Sequence, residues 1–378
     1  MSGIYIHIPF CKQACHYCDF HFSTSMKKKE DMISAICNEI VLRSPEILDN
    51  EIIQTIYFGG GTPTVLTTEE LLVIINTIFE NYTVSKDAEI TVEANPDDLT
   101  PEKIKSLASS PINRLSIGIQ SFFDQDLKLM NRAHNADEAK SCLSLATQLF
   151  DNISIDLIYG IPNMSINHWK QNIQLALDFK VPHISCYALT VEPNTALPKL
   201  IEKGKIPPVN DDIAQHHFEI LTATLENEGF KHYELSNFGK PKYFSKNNTA
   251  YWQNKVYLGI GPSAHSYNGK QRSWNINNNI KYINALQQNI LPNEVEELSI
   301  RDRYNEYIMT GLRTIWGVSL EKISQEFGIA YKDYLLKQAQ KNIEEHLLFL
   351  DGDTLLVTKK GKFLSDGIAS DLFLVNLG

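Results

Sequence analysis

The chain of 378 residues lacks the features that mark membrane, secreted and nucleic-acid-binding proteins. No apolar run approaches the roughly 18 residues that a membrane-spanning helix needs, so we expect no membrane span. Residues 1–10 show no basic segment followed by an apolar run and a small-residue cleavage site, so we expect no signal peptide. Acidic side chains outnumber basic ones by 45 to 35, which argues against nucleic acid as a partner. The length and the 43% hydrophobic content predict an ordinary globular protein of two or three domains.

Cysteine is also sparse, with six residues in the whole chain. A disulfide framework is therefore disfavoured, and three of the cysteines lie in apolar contexts typical of buried thiols: Cys37, Cys142 and Cys186. The other three fall within eight positions with the spacing C-x₃-C-x₂-C: Cys11, Cys15 and Cys18. This short stretch is the most unusual feature of the sequence.

Three thiolates on one short loop suit an iron–sulfur cluster, because thiolate is a soft ligand. A closed 4Fe–4S cluster takes four cysteines, whereas three leave one iron free to hold a substrate or cofactor. The alternative is a structural zinc site with His16 as the fourth ligand. His16 lies between Cys15 and Cys18, however, with little chain to wrap around a metal ion. Free thiols and an oxygen-sensitive cluster predict a cytoplasmic protein in a reducing compartment.

The first half of the chain alternates strand-like and helix-like segments. The six predicted strands are residues 5–8, 55–58, 89–94, 114–119, 153–158 and 183–189. Such an alternation requires a parallel sheet with right-handed crossovers. Six units are too few for an eight-stranded barrel, so the pattern leaves two α/β folds open, a partial barrel and a doubly wound sheet.

The second half divides into two parts. Residues 191–300 are rich in proline, glycine and asparagine, and they predict an irregular extension packed on the first domain. Residues 301–378 predict three helices and a hairpin at Asp351-Gly352-Asp353, which together indicate a helical, winged-helix-like domain. The nearly balanced charge of this domain favours an interaction or lid domain over a DNA-binding one.

Polar residues follow the predicted strands, where parallel α/β folds bind their ligands. The run Gly59-Gly60-Gly61-Thr62 follows the second strand, and Glu93 and Gln120 end the third and fourth. Asp156 lies within the fifth. The glycine run lacks the Gly-Lys-Ser/Thr ending of a phosphate loop, and it suits either a ligand or a tight turn. A carboxylate in an apolar strand is costly unless it is paired or bound to a ligand, so Glu93 and Asp156 are either site residues or salt-bridged.

The cysteine spacing, followed by Asp19-Phe20, resembles the radical S-adenosylmethionine superfamily. The resemblance implies a 4Fe–4S cluster on the three clustered cysteines, with S-adenosylmethionine chelating its open iron. In that superfamily an electron from the cluster splits S-adenosylmethionine into methionine and a 5′-deoxyadenosyl radical. The glycine run, including Gly60, Gly61 and Thr62, would contact the amino group of S-adenosylmethionine. Glu93 and Asp156 would bind its ribose hydroxyls. Arg132 would bind the carboxylate of S-adenosylmethionine. The alternative interpretation is that Arg132 is a surface arginine at the start of a helix. The other matching cofactor positions are Tyr5, Tyr17, Gln120 and Ala188.

Longer stretches resemble the oxygen-independent coproporphyrinogen III oxidase family along nearly the whole chain. They are residues 5–11, 92–96, 116–121, 156–160 and 304–313. The oxidase has a further cysteine two residues after the third and a longer N-terminal extension. This chain has Phe20 at that place and its cluster loop begins at Cys11, which favours the haem-chaperone branch of the family. The alternatives are the oxidase, which decarboxylates two propionates to vinyls in porphyrin biosynthesis, and a radical enzyme with another substrate. No residue of this chain is predicted to be catalytic.

The chaperone branch carries a His-Asn-x-x-Tyr-Trp motif implicated in haem binding, and here Asn247 stands at the place of the histidine. Asparagine does not ligate haem iron, so Tyr251, His265 or another side chain would replace it. The alternative is that haem is not ligated here and that Tyr251 and Trp252 simply pack the mouth of the barrel. The resemblance implies haem or porphyrin as a ligand, a small redox protein as electron donor and a haem-acceptor protein. It also implies the fold: a partial (β/α)₆ TIM-like barrel over residues 1–190.

Overall fold

The computed structural model describes residues 2–46 and 51–375. Residues 1 and 47–50 of the predicted domain 1–190 therefore lie outside the described residues, as do residues 376–378 of the predicted domain 301–378. None of the described helices is long and apolar enough to cross a membrane.

The first half of the chain forms successive strand–helix units. The strands are β1 (Ser2–Ile8), β2 (Ile53–Gly60), β3 (Val84–Ala94), β4 (Arg114–Gln120), β5 (Ile153–Tyr159) and β6 (His183–Ala188). The helices are α1 (Lys29–Leu42), α2 (Thr68–Asn81), α3 (Pro101–Ala108), α4 (Asp124–Leu129), α5 (Ala136–Leu149) and α6 (Ile166–Asp178). All six predicted strands are present.

These six strands are parallel and lie side by side in sequence order. A doubly wound sheet would reverse its order at a switch point, whereas a barrel keeps neighbouring strands in sequence. The predicted partial barrel is therefore confirmed and the doubly wound alternative is wrong.

The two faces of the barrel strands differ in polarity. In β4, Leu115, Ile117 and Ile119 are fully buried in the main hydrophobic core. The intervening residues of the strands face inward, and they are polar. Tyr57 of β2, for example, hydrogen-bonds Glu93 of β3, and Ser154 of β5 lies 2.6 Å from the ring of His183. The alternation thus gives the barrel an apolar outside under the helices and a polar interior.

The second half of the chain extends the sheet at both edges. Its strands are β7 (Lys231–Glu234), β8 (Asn237–Gly239), β9 (Tyr257–Ile260), β10 (His265–Tyr267), β11 (Gln271–Asn275) and β12 (Asn293–Glu297), and its helices are α7 (Leu197–Glu202), α8 (Asp211–Asn227), α9 (Lys246–Trp252) and α10 (Asn279–Leu286). Strand β8 pairs with β6, while β9 pairs in parallel with β1 and leads to β10, β11 and β12. The expectation of an irregular extension over 191–300 was wrong, because strands of three to five residues are too short to show a period.

One buried carboxylate attaches this extension to the barrel. Glu39 of α1 is fully buried and accepts hydrogen bonds from the hydroxyl of Tyr282 at 2.5 Å and from Nδ2 of Asn275 at 2.7 Å. The backbone N–H of Gly261 donates to the same carboxylate at 2.8 Å, and Arg43 lies 3.3 Å away. The charge of Glu39 is therefore compensated by Arg43 of the same helix, and its hydrogen bonds come from residues that are distant in sequence.

The C-terminal part has a hydrophobic core of its own, which includes Tyr304, Leu335 and Leu355. Its helices are α11 (Ile300–Leu312), α12 (Leu320–Glu326), α13 (Ile329–Glu344) and α14 (Ser365–Asp371), and its strands are β13 (Val318–Ser319), β14 (Leu348–Asp351) and β15 (Thr354–Val357). The predicted three helices and hairpin are confirmed. The domain limits at residues 190 and 300 stay a prediction.

Candidate functional site

The cysteine loop follows the carboxyl end of β1 and is closed at its base. The backbone N–H of Cys11 donates to the carbonyl of Ser23 at 3.1 Å, and that of Ser23 donates to Pro9 at 2.9 Å. The tip of the loop contacts the segment after α4: Asn131 Nδ2 donates to the carbonyl of Ala14 at 2.7 Å, and the backbone N–H of His16 donates to Met130 at 3.1 Å. The loop is therefore positioned by residues more than 100 positions later in the chain.

Two of the three clustered thiols receive hydrogen bonds. Thr62 Oγ1 donates to Cys11 Sγ at 3.4 Å, and Arg132 Nη1 donates to Cys15 Sγ at 3.3 Å. Burial raises the pKa of Cys11 to about 11 and also raises the pKa of Cys18. Burial therefore disfavours the thiolate form of both groups, and a bound cation would offset this cost.

A cavity of about 570 Å³ connects the thiols to the carboxyl ends of the barrel strands. This volume lies within the range of roughly 300–1,000 Å³ that holds small molecules and cofactors. Nearly all the predicted site residues line it: Cys11, Cys15, Tyr17, Cys18, Gly60, Gly61, Thr62, Glu93, Gln120, Arg132, Asp156 and Ala188. The structure thus brings together residues from all six strand–helix units.

No described residue beyond Glu192 lines this cavity, so the C-terminal domain does not cover it. That domain contacts the other end of the barrel region, where Arg313 stacks on Trp252 and Glu306 pairs with Arg272 at 2.9 Å. The expectation of a lid was therefore wrong for this cavity. A role of the domain in interactions stays a prediction.

The glycine run packs against the residues that lead into the cysteine loop. The N–H of Gly61 donates to the carbonyl of Ile8 at 2.9 Å, and that of Thr62 donates to Phe10 at 2.7 Å. A Cβ on Gly61 would lie 2.5 Å from the Phe10 carbonyl oxygen. Gly60 has a φ of +102°, where side chains are disfavoured. The run turns the chain tightly, as the turn interpretation requires. It also brings its backbone to the cavity, as the ligand interpretation requires.

The two carboxylates are not salt-bridged. Within residues 2–46 and 51–375, neither Glu93 nor Asp156 forms an ion pair, and Glu93 Oε1 accepts a hydrogen bond from the Tyr57 hydroxyl at 2.7 Å. Burial raises the pKa of Glu93 to about 7 and that of Asp156 to about 6. The expected alternative of a salt bridge is therefore wrong, and both groups have acceptor capacity left for a ligand.

Arg132 is held inside the site rather than on the surface. Its Nη2 donates to Asn95 Oδ1 at 2.6 Å and to the carbonyl of Gly118 at 3.0 Å, and its Nη1 donates to Cys15. Its Nε is buried and has no hydrogen-bond partner in the described part of the chain. A buried donor without a partner is costly, and an anionic ligand in the cavity would satisfy it.

Tyr5 and Asn247 lie outside this cavity. The ring of Tyr5 stacks on Tyr57 at 6.1 Å within the barrel, below the lining of the cavity, so its predicted cofactor contact stays a prediction. Asn247 is buried and accepts a hydrogen bond from Thr55 near the amino end of β2, at 3.3 Å. Near Tyr251 the structure has a cavity of only 160 Å³, which is too small to enclose a large ligand.

The cavity is also lined by residues that the sequence pattern does not indicate as site residues. Asn95 and Tyr187 line it, and Asn95 contacts both Arg132 and Thr62. Asn95 could have been selected because it follows Glu93 at the end of β3. Within the described residues, no three His, Cys, Asp or Glu side chains are close enough to hold a single metal ion. A cluster places each thiol on a different iron, so its ligands lie further apart.

Glu93 should make the stability of the ligand-free protein depend on pH. Its pKa in the folded state is above the ordinary value, so the folded protein loses stability as pH rises from about 4.5 to 7 and the buried carboxyl ionises. We expect Glu93→Gln to raise the free energy of unfolding at pH 8, by at most about 3 kcal/mol, and to change little at pH 5. Denaturant unfolding at both pH values measures this. The exposed Glu80→Gln is the control, and an equal effect of Glu93→Gln at both pH values would contradict the assignment.

Comparisons with known proteins agree with the fold and show the family. Residues 5–176 match the family model of the Radical SAM superfamily, and residues 298–364 match that of the HemN C-terminal domain. The structure superposes on coproporphyrinogen III oxidase (HemN) from Escherichia coli with a TM-score of 0.85, covering 98% of this chain and 90% of that chain. The two sequences are 22% identical, so this likeness shows the shared fold.

Similarity at the sequence level extends along the whole chain. The Heme chaperone HemW of Bacillus subtilis is 34% identical over 97% of this chain and 98% of its own length. The Heme chaperone HemW of Lactococcus lactis is also 34% identical, over 99% of this chain and 97% of its own length. Superfamily membership implies a 4Fe–4S cluster and S-adenosylmethionine, to which the three thiols and the unpartnered Nε of Arg132 are suited. The chain belongs to the HemW family within the radical S-adenosylmethionine superfamily.

Proposed function

We propose that this protein is a haem chaperone that holds a 4Fe–4S cluster and S-adenosylmethionine. One observation carries the proposal: a chain that matches heme chaperones over its full length has three thiols, and not four, at the mouth of a cofactor-sized cavity. Three thiols suit a cluster with one open iron. When bound, the cluster would supply an electron and a coordination position for S-adenosylmethionine.

The residues of the cavity have separate roles in this proposal. Cys11, Cys15 and Cys18 hold the cluster as thiolates. Arg132 binds the carboxylate of S-adenosylmethionine, and its buried Nε donor supports this role. Gly60, Gly61 and Thr62 bring backbone groups to the amino group.

Glu93 and Asp156 accept hydrogen bonds from the ribose hydroxyls. Their raised pKa values, about 7 and about 6, leave both groups mainly ionised above pH 7.5. As ionised carboxylates they are acceptors only, which suits a diol that donates. Tyr17, Gln120 and Ala188 complete the wall of the cavity.

Haem needs a different ligand from Asn247, whose side chain is buried and hydrogen-bonded to Thr55. Of the two remaining candidates, we infer that His265 binds the iron. Its ring is exposed beside Trp274, with ring centroids 6.0 Å apart. Partial burial and the nearby Arg272 lower the pKa of His265, which favours the neutral form of the imidazole that ligates iron. Tyr251 is less accessible, because its ring packs on Tyr257 at 4.4 Å.

The proposal includes partners of defined chemistry. A small redox protein would reduce the cluster, and an apo-haemoprotein would accept the haem. Three thiols that must stay reduced to hold iron suit a reducing compartment such as the cytosol.

Haem titration under anaerobic conditions tests the chaperone function. We expect saturable binding of one haem per chain, seen as a Soret absorbance change, and an affinity at least about tenfold weaker for His265→Ala. The control is His216→Ala, which removes an exposed histidine on α8. Equally weak binding of haem by the wild type, His265→Ala and His216→Ala would contradict the haem function. If His265→Ala binds haem as tightly as the wild type, Tyr251 is the iron ligand instead.

The same preparation separates the chaperone from the oxidase of the same fold. Coproporphyrinogen III is incubated with the reduced protein and S-adenosylmethionine, and 5′-deoxyadenosine is measured. We expect no turnover linked to loss of propionates. Release of 5′-deoxyadenosine with vinyl formation would replace the chaperone proposal with the oxidase, and failure of both assays would leave a radical enzyme with another substrate.

A further inference from the structure

A continuous row of hydrogen bonds links two of the clustered thiols, and Asn95 is at its centre. The side-chain Nδ2 of Asn95 donates to Thr62 Oγ1 at 3.1 Å, and Thr62 Oγ1 donates to Cys11 Sγ at 3.4 Å. On the other side, Asn95 Oδ1 accepts from Arg132 Nη2 at 2.6 Å, and Arg132 Nη1 donates to Cys15 Sγ at 3.3 Å. Each contact has a defined donor and acceptor.

The backbone around Asn95 holds its side chain in place. Asn95 directly follows β3 and precedes Pro96, and its backbone is extended, with φ −101° and ψ 146°. The carbonyl of Asn95 accepts from the N–H of Asp98 at 3.0 Å, and its own N–H donates to Thr64 Oγ1 at 3.4 Å. The carboxamide is therefore presented to the cavity by a fixed turn.

The row requires a side chain that donates and accepts at once. A carboxamide does both, whereas a carboxylate only accepts and an apolar side chain does neither. A carboxylate at position 95 would accept the hydrogen bond that the Thr62 hydroxyl now donates to Cys11. It would also place a negative charge beside the guanidinium of Arg132.

Asn95 also determines which donors of Arg132 stay free. Asn95 Oδ1 and the carbonyl of Gly118 engage both N–H groups of Nη2. Nη1 is directed to Cys15, and Nε remains without a partner within the described residues. Without Asn95 the guanidinium would lose its shortest contact, 2.6 Å, and could turn away from the cavity.

We propose that Asn95 is a positioning residue that couples the electronic state of the cluster to the binding of S-adenosylmethionine. This inference rests on the proposed function, because it requires both groups to be bound. Hydrogen bonds to cluster sulfurs raise the reduction potential, so weakening them lowers it. Misorienting Arg132 lowers the affinity for the carboxylate of S-adenosylmethionine.

The test uses the full-length protein, reconstituted anaerobically with iron and sulfide. Asn95→Asp and Asn95→Leu are compared with the wild type and with Asn81→Leu, a control on α2 that is remote from the cavity. Iron content, the midpoint potential of the cluster followed by electron paramagnetic resonance, and the dissociation constant of S-adenosylmethionine are measured. Aspartate is nearly isosteric with asparagine, so Asn95→Asp tests the inference even if Asn95→Leu fails to fold.

We expect both variants to keep about four irons per chain, to have a lower midpoint potential than the wild type and to bind S-adenosylmethionine about 10- to 100-fold more weakly. The loss of affinity should be larger for Asn95→Asp, since the new carboxylate repels that of the ligand. Unchanged potential and affinity in Asn95→Asp would overturn the inference while the proposed function stands. A wild type that binds no cluster would instead overturn the proposed function.

Discussion

Replacing Cys15 with alanine should abolish the visible absorbance of the cluster and leave less than one iron per chain after anaerobic reconstitution. The wild type should hold about four irons, because three thiols bind three irons of a 4Fe–4S cluster. With two thiols the cluster has two open irons and has lost one of its three protein ligands. Arg132, which contacts Cys15 Sγ at 3.3 Å, cannot ligate a cation.

The control for this experiment is Cys37→Ala. Cys37 lies on α1, is partly buried against the main core and is not part of the cavity lining. This variant should keep the iron content and the absorbance of the wild type. The cluster assignment would be wrong if Cys15→Ala kept its iron, or if the anaerobically purified wild type contained zinc and no iron.

Replacing Arg132 with methionine should lower the affinity for S-adenosylmethionine by at least about thirtyfold and leave the iron content unchanged. Removing one partner of a buried charge pair costs about 2–5 kcal/mol, and 2 kcal/mol corresponds to about thirtyfold. Arg132→Lys should recover only part of the affinity, because an ammonium lacks the fork that contacts Asn95, Gly118 and a carboxylate together.

Equilibrium dialysis and the change in the electron paramagnetic resonance spectrum on adding S-adenosylmethionine measure this effect. The exposed Arg301→Met is the matched control and should bind like the wild type. Equal affinity of Arg132→Met and the wild type would contradict the assigned role. A loss of iron in Arg132→Met would show that its contact with Cys15 supports the cluster itself.

The barrel and most of its site could be predicted because they depend on local patterns. Each strand of the barrel has its own apolar stretch, most of the strands have a polar residue at or close to the carboxyl end, and parallel strands present those ends at one rim. Glu93 and Asp156 can therefore be predicted from the sequence alone, and the structure brings both to the cavity of the thiols.

The remaining features depend on contacts between distant residues. Strand β9 has only four residues and pairs with β1 from a position about 250 residues later, so no local signal marks it. Tyr5 does not line the cavity, because matching a pattern selects the inner face of a strand but not the height along it, and its cofactor contact stays a prediction. The role of Asn95 could be inferred only from its two neighbours, Thr62 and Arg132.

The central place of β1 in the sheet has a consequence for the order of synthesis. This strand is translated before the other described strands, yet one of its two neighbours, β9, is made about 250 residues later, which takes on the order of 10–50 s. The cysteine loop likewise acquires its supports, Asn131 and the N–H of Leu197, only after most of the barrel has been translated. The cysteine loop can therefore reach its final shape only after residue 197 has been translated, and a ribosome-bound nascent chain that stops before residue 197 should not retain a cluster.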